Sequence, residues 1–130
     1  MGKQILAVIV GVIVGGLTIY AIESINMVRF PWPEDLSMED KEAFAEYVSS
    51  LPVDAFITVI IAHLVGSFIG GFVCSKITPN KKLLLGTICG VFFLAGGIMN
   101  LVMIPHPLWF MVADLLVFIP FAWLGAKLAK

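Results

Sequence analysis

Four apolar runs, each near the length of a membrane crossing, alternate with three polar connections. Residues 5–22 carry no charge, 55–75 none if His63 is neutral, and 83–104 none, while 108–126 carry only Asp114. About 20 apolar residues suffice to cross the hydrocarbon as a helix. None of the runs shows the period-two alternation of a barrel strand. The pattern predicts an all-α, four-helix transmembrane bundle forming one domain over residues 1–130, with spans at about 4–28, 53–75, 83–104 and 107–126. The first run has Lys3, an apolar core and a small Ala21, like a cleaved signal, but that core is long for one. It is therefore expected to be retained. The Met1-Gly2 start has Leu6 where a myristoylation signal needs Ser or Thr.

The connections differ in kind. Pro31 and Pro33 stop the first helix, because proline lacks a backbone donor and restricts its predecessor. Ser37 is the expected N-cap of a short amphipathic helix at about 38–49. On that helix Phe44, Tyr47, Val48 and Leu51 share one face, and the other face is acidic. The second connection, around Lys76 to Lys82, and the third, Pro105-His106-Pro107, are tight. Spans two to four should therefore pack as antiparallel neighbours. Pro120 should kink the fourth span.

Composition agrees with this layout. The chain is 60% hydrophobic and 13% charged, more apolar surface than a soluble domain of this size hides. Its net charge of −1 conceals strong polarity. Lys3, Lys76, Lys81, Lys82, Lys127 and Lys130 lie at one end of the spans. Only Arg29 and Lys41 lie at the other, where the acids gather. By the positive-inside rule both termini and the second connection are cytoplasmic, the amphipathic helix is extracytoplasmic, and the location is the cell (inner) membrane. Cys74 and Cys89 fall toward the reducing side without a Cys-x-x-Cys, so free thiols are expected. Small residues four apart, Gly11 and Gly15, Gly66 and Gly70, with Gly90 and Gly97, mark faces where helices pack closely in lipid.

Each span carries one strongly polar side chain: Glu23, His63, Asn100 and Asp114. Helix rise puts Glu23 and Asp114 about 10 Å, Asn100 about 8 Å and His63 about 15 Å below the same boundary. Ionisable groups at such depth cost several kcal/mol unless paired or hydrated, so they are expected to face inward. The expected site is a ligand- or ion-binding cluster of Glu23, His63, Asn100 and Asp114, with Ser67, His106 and Arg29 in support. A carboxylate–histidine pair can exchange a proton near neutral pH. With one histidine at that depth and no nucleophile signature, no metal site, cofactor or catalytic residue is expected. The leading functional expectation is ion, proton or small-ligand binding or permeation by an oligomer. The alternatives are a non-catalytic accessory subunit of a larger membrane complex and a metal- or lipid-dependent membrane enzyme. The expected partners are the lipid bilayer and copies of the chain or other membrane subunits, not nucleic acid.

Several of these features occur together elsewhere: Pro-x-Pro after the first span, Ala45-Glu46-Tyr47-Val48, a glycine-rich second span, and Pro105-His106-Pro107-Leu108-Trp109. In them the chain resembles uncharacterised small bacterial four-helix integral membrane proteins. The resemblance implies the fold and no site residue.

Overall fold

The computed structural model describes residues 1–129 and is all-helical. Helix α1 spans Gly2–Arg29, α2 Lys41–Ser50, α3 Val53–Ile77, α4 Lys82–Met103, α5 Leu108–Leu115 and α6 Phe118–Leu128. Helices α1, α3, α4 and the α5–α6 unit are long and apolar enough to cross a membrane.

Proline explains why the fourth span is split. Pro120 has no N–H to give to the carbonyl of Leu116, and its ring crowds that carbonyl. The chain turns at Leu116–Val117, where Val117 N–H donates to Asp114 O at 3.3 Å and Phe121 N–H to Val117 O at 3.2 Å. The expected single span at 107–126 is therefore two helices with a break two residues after Asp114.

The spans form a ring in the order α1, α3, α5–α6, α4, with α3 also touching α4 across the middle. Glycine sets how closely they approach. A Cβ at Gly11 would meet Gly70 O at 2.7 Å, and one at Gly15 would meet Gly66 O at 2.6 Å. The reciprocal contacts, Gly66 on Gly15 O at 2.8 Å and Gly70 on Gly11 O at 3.0 Å, are slightly looser. Such spacing lets the antiparallel α1 and α3 approach closely. Gly71 and Gly125 do the same for α3 and α6, against the backbones of Ala122 and Phe68. Gly90 lies on Ala122 Cβ and Gly97 on the Phe118 ring. Helix α1 is fastened to the α3–α4 turn by Gln4–Asn80 at one end and to the start of α3 by the Arg29–Asp54 ion pair at the other. The start of α1 and, through the contact of Gly86 with Ala126, the end of α6 lie at the same end of the bundle as the α3–α4 turn. Cys74 and Cys89 are free, buried thiols beside Ala7 and Phe93.

At the opposite end, α2 lies across the bundle. Phe44 and Val48 are buried with Phe56 and Phe110, and Tyr47 and Leu51 flank them. Trp32 packs on Phe44 and Tyr47 at ring separations of 5.2 and 5.6 Å. Helix α2 starts at Lys41, later than the expected 38. Its N-cap is Asp40, whose carboxylate accepts from Ala43 N–H at 3.2 Å, and not Ser37. Ser37 instead accepts from Glu39 N–H and closes a separate turn through Asp40 N–H. The carboxylate is the stronger cap because its charge also meets the helix dipole. Because Phe44 anchors the helix, Phe44→Ala should cost about 3 kcal/mol locally. Hydrogen exchange should show α2 losing protection while the spans keep theirs.

Candidate functional site

The site grows from the face of α3 that carries His63, Ser67, Gly70 and Cys74. The small residues of that face admit α1 and α6 closely, and His63 is caught where they meet. Its Nδ1 lies 2.5 Å from Asp114 Oδ1 and its Nε2 lies 3.1 Å from Glu23 Oε1. Asp114 reaches it from the last turn of α5, just before the proline break. Glu23 reaches it from α1, seven residues above Gly16. The Phe118 ring, one turn beyond Asp114, packs on the imidazole at 4.9 Å between centroids.

A nitrogen lone pair and a carboxylate lone pair cannot face each other across 2.5 Å, so a shared proton lies between Nδ1 and Asp114 Oδ1. On the other side Nε2 makes an ion-pair contact with Glu23 Oε1. The imidazole thus stands between the two carboxylates, placed to pass a proton from one to the other. The carboxylates bracket the ring on opposite sides, an arrangement suited to relaying a proton rather than to converging on one ion.

The two ends are not equivalent. Asp114 is 1% exposed, whereas the Glu23 side chain is 39% exposed. Glu23 opens into a cleft of about 240 Å³ between α1 and α4. Ile19 and Glu23 form one wall, Phe92, Gly96 and Asn100 the other, and His63 and Phe118 the floor. Helices α1 and α4 touch near Gly11–Cys89 and Gly15–Phe93 and then diverge. Beside this opening a Cβ at Gly16 or Gly96 would meet nothing within 4 Å. Beneath the triad the interior is closed by the glycine contacts.

Of the four expected site residues, Glu23, His63 and Asp114 are joined directly, and Asn100 faces the same cleft without bonding to them. Ser67, one turn below His63, is wholly buried, and its hydroxyl has no partner among the described residues. Arg29 is not a counter-ion for Glu23, because Asp54, a partner that sequence spacing did not single out, holds its guanidinium. The expected supporting role for Arg29 is thereby replaced by a fastening of α1 to α3. Phe93 and Phe118 complete the cleft. Phe118 was readable on the face of Asp114, but Phe93 carried no such signal.

His106 stands apart, between α4 and α5. Its Nδ1 donates to Ile104 O at 2.8 Å, and its ring stacks on Phe110 at 4.9 Å and meets the edge of Phe56. Burial among these rings holds its pKa below the ordinary 6.5. The sign of the pH effect follows. The unfolded chain takes up this proton at a higher pH than the folded one, so stability falls as pH drops below 6.5. Thermal unfolding should show that acid loss, and His106→Phe should reduce it.

Comparison with known proteins places the chain in no group: no protein-family model, curated protein or solved structure matches it.

Proposed function

We propose that this protein is a multi-pass protein of the cell's inner membrane that binds and exchanges a proton or small cation at the Glu23–His63–Asp114 triad. The observation that carries this reading is the imidazole held between two carboxylates, one buried and one opening to a cleft. A carboxyl pair kept in hydrocarbon merely for packing is costly, and apolar side chains would pack there at no such cost. The basic end of the bundle faces the cytoplasm in this reading, so the triad lies in the outer half of the membrane with α2 above it. The closed packing below the triad provides no continuous path through one copy. Passage across the membrane therefore requires a rearrangement of the bundle or the participation of several copies. The break at Leu116–Val117 gives Asp114 a hinge for the first of these.

The test is proton uptake into liposomes containing the purified protein and a trapped pH-sensitive dye, under an imposed gradient. The wild type should exceed protein-free liposomes. Glu23→Gln, His63→Ala and Asp114→Asn should each lower the protein-dependent rate about a hundredfold, the size of a lost general acid–base group at the lower end. If all three variants match the wild type, the triad has no role in exchange and the reading is wrong.

A further inference from the structure

The cleft beside Glu23 opens sideways, between α1 and α4, and not toward either end of the bundle. By helix rise Glu23 lies about 10 Å beneath the end of its span, so the mouth faces hydrocarbon. A hydrated inorganic ion would have to shed its water there, at heavy cost. A headgroup amine at the interface sits too shallow to reach Glu23 without leaving its own layer. The walls favour a different guest. Phe92, Phe93 and Phe118 offer aromatic surface that attracts cations, and Ile19 offers aliphatic surface. Among the polar groups, Glu23 provides a carboxylate and Asn100 an amide. The volume of about 240 Å³ is below the roughly 300 Å³ at which drug-sized pockets begin.

We propose that this cleft takes up a small organic ammonium ion with an apolar body directly from the membrane, and that the ion and a proton at Glu23 exclude each other. The proposal rests on the triad exchanging protons. The Glu23 carboxylate carries one negative charge at the cleft wall, and either one monovalent cation or one proton neutralises it. When the cation displaces that proton, one proton leaves for each cation bound, and the charge at the site is unchanged. Access is lateral, so no opening of α2 is needed for binding.

The test uses the full chain in phosphatidylglycerol nanodiscs and benzyltrimethylammonium, which is permanently charged and carries no exchangeable proton. Calorimetry in two buffers of different ionisation heat reports both affinity and proton release. Saturable binding is expected, weakening by up to about tenfold per unit as pH falls into the range where Glu23 holds a proton, with one proton released per cation there. Glu23→Gln should weaken it more than tenfold. Gly96→Leu should also weaken it, because a side chain at 96 has open space to grow into and fills the cleft, and its unchanged melting temperature would show that the fold is kept. Absence of saturable binding at every pH, or binding that survives both substitutions, overturns the proposal. If added phosphatidylethanolamine displaces the probe, the occupant is a lipid amine, and the free-ammonium proposal is equally overturned. Proton uptake by the wild type without the probe separates the two failures. If uptake depends on the triad but the probe does not bind, the exchange reading stands and the ammonium proposal falls.

Discussion

Replacing His63 with leucine is expected to destabilise the folded bundle by about 3–5 kcal/mol, the range for removing one member of a buried ionic pair. The imidazole supplies both contacts that hold the triad together, a hydrogen bond to Asp114 and an ion-pair contact with Glu23. Without it, Asp114 is left 1% exposed beside Phe118 with no side-chain donor. Glu23 contributes less to the loss, because its half-exposed carboxyl can turn toward the cleft mouth. The effect should depend on the partner. In a background of Asp114→Leu, which removes the stranded group, His63→Leu should cost much less, giving an interaction energy of about 2–3 kcal/mol in the double-mutant cycle. Asp114→Asn alone should be milder than His63→Leu, since the amide can still meet Nδ1. Reversible unfolding in mixed micelles or bicelles measures all four proteins. A His63→Leu variant within about 0.5 kcal/mol of the wild type, the scatter of ordinary neutral substitutions, would mean that the three side chains are not coupled.

A single methyl group at Gly71 or Gly125 should be nearly as damaging, at about 3 kcal/mol, the upper part of the overpacking range. At Gly71 the new Cβ would run into the carbonyl of Ala122, and at Gly125 into that of Phe68. These are backbone atoms in helices, so they cannot swing aside as a side chain can. Helix α6 would have to move away from α3, and α5 with Asp114 is joined to it through the proline break. Loss of stability and loss of proton exchange should therefore appear together. Gly11→Ala and Gly15→Ala, which also press on carbonyl oxygens, should fall next. Gly16→Ala should be neutral or stabilising by up to about 1 kcal/mol, the difference in helix propensity, because a Cβ there meets nothing. The same unfolding assay ranks the series. Equal stability of Gly71→Ala and Gly16→Ala would contradict the close approach of α3 and α6.

How much of this was legible beforehand differs from residue to residue. The four spans were, because a long uncharged run has few ways to satisfy its backbone in lipid other than as a helix. The presenting face of α2 was legible for a related reason, since Phe44, Tyr47, Val48 and Leu51 recur at helical spacing. The close depth of Glu23, His63 and Asp114 also followed from counting, since helix rise is constant. Counting could not decide direction. Two side chains at one depth can point together or apart, and that depends on how each helix is turned by its neighbours. The turn is set here by backbone contacts at Gly11, Gly15, Gly66, Gly70, Gly71 and Gly125. Glycine spacing announces that a close contact exists but does not name the partner. For the same reason Arg29 went to Asp54 and not to Glu23, and His106 went to an aromatic cluster. Pro120 announced a break, but its value in placing Asp114 against Nδ1 and Phe118 against the ring arises only when α3 is alongside. Hydropathy and helix rise are properties of one segment and can be read from it. Convergence, the unequal exposure of Glu23 and Asp114, and the sideways cleft are properties of four segments packed together, and the tertiary structure alone decides them.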